Sequence, residues 1–153
     1  MKLPYWVLTN DLQGRGIRVD FKDLNYEVLD SDISDRFVKA INFYSKLLDN
    51  YQIEWTEDVF DCDDFAVLFK AVCGLYRFIC AYAEGNVYLG GEFYGRHAYN
   101  LIPYMVGTQL VWLVVEPQVV GVRGVNWYNV FDMGSNRSRM LGLYIYVTDY
   151  AWI

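Results

Sequence analysis

Apolar residues recur at helical spacing after residue 30. Ile33, Phe37, Val38, Ile41, Tyr44 and Leu48 mark one face of a helix that should run to about Asp49, with Ser31 and Asp32 as N-cap candidates. A second apolar side, Phe65, Ala66, Phe69, Val72, Cys73, Tyr76, Ile79 and Cys80, predicts a helix that starts at Cys62 or Asp63. Leu68 and Leu75 widen that side, and Gly74 weakens the helix locally. Its end is expected near Glu84-Gly85-Asn86, with Gly85 as C-terminal cap. Residues 51–60 read as a connector. From Val87 the texture turns to strand, with a turn at Gly90-Gly91. Residues 98–105 and 109–115 read as a hairpin around Gly107, and 141–147 as a last strand whose apolar continuation, 150–153, tucks into the body. Residues 1–30 predict short strands and loops, and 121–139 a long loop around Asn126-Trp127-Tyr128. Helices followed by strands predict an α+β fold, with N-terminal helices packed on a C-terminal antiparallel sheet.

Composition narrows the picture. At 153 residues, 54% of them hydrophobic, the chain is long enough for one domain, 1–153, with its own core. The net charge is −6 and the 13 Lys and Arg are scattered, which argues against nucleic acid as a partner. No run reaches the length of a membrane span, and the first residues do not read as a signal peptide. The expected setting is therefore the cytoplasm or the inside of a virus particle. Aromatics make up 18% of the chain, enough to supply both core and binding surface. Cys73 and Cys80 lie seven residues apart on the expected helix, about 10 Å along its axis and too far to bridge.

The candidate chemistry begins at Asp61-Cys62-Asp63-Asp64-Phe65-Ala66. A thiol at a helix N-terminus is favoured as thiolate, whereas three flanking carboxylates oppose its ionisation, so a positive group is needed to offset them. The same aspartates also serve as ordinary helix-start charges. His97 is the only histidine. If the hairpin turns over Val106-Gly107, Met105 faces Thr108 and His97 faces Glu116, with Cβ atoms about 4.5–5.5 Å apart. Glu116 is then either a functional acid or the first solvated residue of its strand. Asn100 and Gln118 flank the pair as polar candidates.

Three motifs in order, Asp61-Cys62-Asp63-Asp64-Phe65-Ala66, His97-Ala98-Tyr99-Asn100 and Val115-Glu116-Pro117-Gln118, resemble the C-terminal cysteine-peptidase domain of Marasmius oreades agglutinin and related small papain-like proteins. The likeness spans residues 55–118. It implies a papain-like fold and a cysteine peptidase, with Cys62 as nucleophile, His97 as general base and acid, and Glu116 orienting the imidazole. Trp55, Asn100 and Gln118 are the residues expected to bind a peptide or protein substrate. The resemblance also implies calcium, with Asp61, Asp63 and Asp64 as ligands and Glu57 and Asp58 as weaker candidates; carboxylates are the hard donors that calcium takes. The chain departs from the pattern in two places. It has no room for a preceding lectin domain, and Trp55-Thr56-Glu57 stands where a glutamine oxyanion donor is expected. Two alternatives remain open: a transglutaminase-like or amidase enzyme with the same triad, and a non-enzymatic structural or binding protein, of viral origin in one version, that keeps the fold.

Overall fold

The computed structural model describes residues 1–30, 33–120, 122 and 124–153. The expected N-caps Ser31 and Asp32 lie outside the described residues, as does part of the expected 121–139 loop. Among the described residues, nine strands and three helices follow in the order β1 (Lys2–Pro4), α1 (Tyr5–Gly14), β2 (Arg18–Asp20), β3 (Asn25–Glu27), α2 (Ile33–Asn50), α3 (Cys62–Leu75), β4 (Ala81–Leu89), β5 (Glu92–Val106), β6 (Gln109–Val115), β7 (Tyr128–Val130), β8 (Arg137–Met140) and β9 (Tyr144–Trp152). A short 3-10 turn, Pro117–Val119, follows β6. The main sheet runs β2-β9-β4-β5-β6-β7, with β8 paired to β9. All its described pairings are antiparallel except β2 with β9. The α+β expectation holds.

The two faces of the sheet bury different cores. Strand residues alternate between faces. Ala81, Ala83, Val87, Tyr99, Leu101, Trp112 and Tyr146 pack with Leu8 and Leu12 of α1. Cys80, Ile102, Leu113 and Val115 pack with Phe37, Ala40 and Tyr44 of α2 and with Phe65, Phe69 and Cys73 of α3. The apolar spacings that predicted α2 and α3 are the spacings that bury.

Three expectations fail at element boundaries. Residues 5–14 form a helix rather than strands and loops: Leu8 and Leu12, four apart, are both fully buried. The second helix ends at Leu75, not near residue 84. Arg77 takes a left-handed φ of 60°, and the Phe78 N–H donates back to the Cys73 carbonyl. The chain therefore reverses, and Glu84-Gly85-Asn86 lie inside β4 instead of capping a helix. The reversal also brings Cys80 beside Cys73, so the axial separation expected for one continuous helix does not apply. Both thiols are free and buried, and burial followed by a hydrogen bond to Cys80 pushes the Cys73 thiol well up. Finally, the 121–139 segment contains β7 and part of β8 rather than loop alone.

The β5–β6 register also differs from the expected one. Val106 pairs with Gln109 and Asn100 with Val115, so the two-residue turn is Gly107-Thr108. Gly107 takes a φ of 62°, which suits such a turn.

Candidate functional site

His97 and Glu116 meet despite the shifted register. The chain leaves β6 at Val115, and the 3-10 turn opened by Pro117 fixes Glu116 at its N-cap, where its side chain accepts from the Gln118 N–H at 3.1 Å. There Glu116 Oε2 lies 2.5 Å from His97 Nε2 and accepts from the Tyr146 hydroxyl at 2.6 Å. Glu116 is 2% exposed, so this carboxylate is buried with three partners, as a buried charge requires. It is a functional or structural acid, not the first solvated residue of its strand.

Cys62 opens α3, held by a capping box. Asp61 takes the backbone N–H of Asp64, and the Asp61 N–H donates to Asp64 Oδ2 at 3.2 Å. The Cys62 thiol and the His97 ring line one cleft. Burial disfavours the charged ring, but the hydrogen bonds and charges of Cys62 and Glu116 outweigh it and push His97 up to about 9. The imidazole is thus cationic near neutral pH. A histidine whose folded value is raised stabilises the fold fully below its unfolded value of about 6.5, and that contribution is lost as pH rises through about 9. We therefore expect the melting temperature to fall between these limits, and the slope to flatten in His97→Gln; equal slopes in both proteins refute the assignment.

Two clefts flank the ring. One, of about 260 Å³, is lined by Tyr94, Gly95, Glu116, Gln118, Leu141, Tyr144 and Tyr146 among others. The other, of about 190 Å³, is lined by Cys62, Asp63, Tyr82, Glu84 and Ala98. Arg96 and His97 line both. Arg96 is not free for a ligand: its guanidinium holds Asp149 bidentately at 2.7 Å and Glu84 at 3.1 Å. Tyr146, Tyr144 and Tyr94 were not singled out from the sequence. No local signal separates them from the other tyrosines; only the pairing of β9 and β5 against β4 brings them to one cleft.

The expected substrate-binding residues divide. Gln118 lines the larger cleft. Trp55, 57% exposed, lines neither. Asn100 is fully buried, and its amide donates to the carbonyls of Ala66 in α3 and Ala81 in β4, so it pins the helix to the sheet. Among the expected metal ligands, Asp61 and Asp63 stand together with Cys62, their donor atoms within 4.8 Å of one another. Asp64 is engaged by the capping box. A hydrogen bond to Asp61, then partial burial, hold the Asp63 carboxyl above its ordinary range. Asp61 Oδ1 is buried with no hydrogen-bond partner among the described residues. An orphaned buried carboxylate oxygen is a feature that a hard cation would satisfy, so Asp61 and Asp63 fit calcium, while the soft Cys62 sulfur does not.

No protein-family model matches the chain, and no curated protein does. Solved structures do. One, described as "PSL1a-E64 complex", aligns with 99% of this chain and 51% of its own length at 18% identity and a TM-score of 0.63. Another, Polyporus squamosus lectin bound to the human-type influenza-binding epitope Neu5Aca2-6Galb1-4GlcNAc, aligns with 99% of this chain and 49% of its own at 18% identity and a TM-score of 0.56. The chain thus spans about half the length of each, and at this identity the likeness is one of fold. The second is described as a lectin, and neither is described as a peptidase. This finding corrects the expected identity as a cysteine-peptidase domain, the assignment as a papain-like hydrolase and the description of Cys62, His97 and Glu116 as a catalytic triad. Physically, short motifs in order place a thiol, an imidazole and a carboxylate together, and that placement serves a binding site as well as a reacting one.

Proposed function

We propose that this chain is a non-enzymatic binding module whose ligand occupies the larger cleft beside His97. The observation that carries this reading is the fixed row Tyr146–Glu116–His97, which holds an imidazolium and a buried carboxylate at the cleft wall in one geometry. Preorganised polar groups beside an aromatic surface are what a small binding site needs. Tyr94, 66% exposed, supplies that surface and meets the Tyr144 ring edge-on at 5.4 Å. The lectin neighbour supports binding over hydrolysis, and the ligands of both neighbours are the first probes for this chain.

The test is titration of labelled protein with the sialylated trisaccharide, with E64 and with short peptides, followed through the His97 and Tyr94 resonances. Saturable shifts that are lost in Tyr94→Ala support the reading. No shift at either residue with any of the three classes at millimolar concentration overturns it. Calcium is proposed to bind at Asp61 and Asp63, a sparse set of protein oxygens, with a dissociation constant on the order of 1 mM. Asp61→Asn should weaken it about tenfold, as seen by calorimetry; equal affinity in that variant removes Asp61 as a ligand.

A further inference from the structure

After its first turn, α3 carries one polar side chain, Lys70, and that one is engaged: its amine donates to the Cys80 carbonyl at 2.7 Å and stands over the Trp152 ring. Every other residue from Phe65 to Leu75 is apolar or glycine. Phe65, Phe69, Val72 and Cys73 form the side that packs into the core. Val67, Ala71, Gly74 and Leu75 recur at the spacing of one opposite face, and all four are exposed, Val67 at 48% and Leu75 at 69%. A helix face turned to water is normally polar, and a helix that is apolar all round is normally covered. Phe43 of α2, also exposed, widens this surface and meets the Tyr76 ring at 6.1 Å just past the end of α3.

The two ends of the face carry opposite charge. Asp63 and Asp64 stand exposed in the first turn. Arg77 stands exposed beyond the last, with Arg36 donating to its carbonyl at 3.0 Å. Arg77 is also the residue that takes the left-handed φ of 60° where the helix stops. Glycine suits that position, because a side chain is disfavoured in the left-handed region. Among the described residues, no hydrogen bond, ion pair or ring contact engages the Arg77 guanidinium. Neither the backbone nor the packing of one molecule asks for arginine there.

We propose that the outer face of α3 is covered by the same face of a second copy of this chain, the two helices running antiparallel about a two-fold axis at Ala71. Val67 and Leu75 each lie four residues from Ala71, so Val67 of one copy meets Leu75 of the other. The aspartates that open one helix then lie at the end of the other, where Arg77 stands, and the two helix dipoles oppose as well. A parallel pairing would set like charges together. A Cβ built on Gly74 meets nothing within 4 Å, so no internal contact requires glycine in mid-helix, where it is less favourable than alanine. Between two copies, Ala71 and Gly74 let the backbones approach. A surface complementary to itself is what a two-fold dimer uses. None of the four face residues lines either cleft beside His97, so this surface is separate from the ligand site proposed above.

Sedimentation velocity of the whole chain between about 1 µM and about 500 µM is the test. One helix face and its flank make a small interface, so the expected dissociation constant is about 0.1 mM. Leu75→Glu, at an exposed position, should keep the fold by circular dichroism and stay monomeric throughout. Arg77→Gly should act in two opposite directions. Relief of the left-handed φ should raise the melting temperature of the dilute monomer by about 2–4 °C. Loss of an ion pair at both ends should weaken association about fivefold. Ala71→Cys, on the axis, should yield a disulfide-linked dimer with oxidised glutathione, which leaves as two thiols; Gln13→Cys, exposed on α1, should not. A protein that is monomeric at about 500 µM overturns the proposal, including one that instead binds lipid vesicles through Leu75. Association that survives Leu75→Glu, an unweakened Arg77→Gly dimer, or equal crosslinking of the two cysteine variants overturns it as well.

Discussion

Glu116→Ala should lower the melting temperature by about 10 °C, the consequence of losing about 3–5 kcal/mol when one member of a buried charged pair is removed. Glu116 is 2% exposed and accepts from His97, from the Tyr146 hydroxyl and from the Gln118 N–H. Its removal orphans the Tyr146 hydroxyl, which burial and the Glu116 charge already hold above the ordinary range, and releases the 3-10 turn. It also removes one of the two groups that raise His97. Glu116→Gln separates these effects. The amide keeps an acceptor for Tyr146, so its stability loss should be smaller, while the His97 midpoint still falls from about 9. Because His97 is the only histidine, one imidazole resonance followed through a pH titration reads the midpoint directly. A midpoint that stays at about 9 in Glu116→Gln assigns the shift to Cys62 alone, and a melting temperature unchanged in Glu116→Ala refutes the account of the buried pair.

Gly85→Ala should be comparably damaging although it adds one carbon. Gly85 pairs with His97 on one side and Thr148 on the other, next to the register shift in the β4–β9 ladder. A Cβ there meets the Val147 carbonyl oxygen at 2.2 Å and the Tyr99 hydroxyl at 2.5 Å. Backbone in a central strand yields little, so the expected loss is about 3 kcal/mol, the upper range for overpacking. The Tyr99–Thr148 hydrogen bond, 2.6 Å, should break with it. Chemical denaturation of the variant measures the first effect, and the Tyr99 ring shifts report the second. Gly95→Ala, where nothing stands within 4 Å, is the control and should keep wild-type stability. Equal stability of Gly85→Ala and Gly95→Ala would sink the argument from close approach.

The sequence revealed the helices that carry long periodic faces and missed what depends on a single dihedral or a distant strand. α2 was legible because Phe37, Ile41, Tyr44 and Leu48 repeat over several turns. α1 was not, since its 10 residues begin directly after Pro4 and offer only a short apolar repeat. The end of α3 was misplaced because the apolar spacing continues through Ile79 and Cys80, although Arg77 has already reversed the chain. The meeting of His97 and Glu116 was expected from a register in which Met105 faces Thr108. The actual register is offset by two, and the contact forms because Pro117 ends the strand. Asn100 illustrates a different limit. Polarity in a strand signalled a ligand contact, whereas its amide is used to fasten α3. The tyrosines of the cleft were unreadable because β9 contributes two of them from residues far along the chain.

β9 lies between β2 and β4 in the sheet, yet it follows every other described strand in sequence. During synthesis, therefore, the ribosome delivers both flanks of the gap before the strand that fills it. β2 has no other described partner in the sheet, and β4 carries one bare side until β9 emerges. Closure awaits contacts between residues more than a hundred positions apart, such as Arg18 with Tyr150. Such topology slows folding and leaves adhesive strand edges exposed in the nascent chain. The protein should accordingly depend on holding chaperones more than its size suggests, and release of a chain stalled before residue 144 should yield aggregate rather than a partly working module.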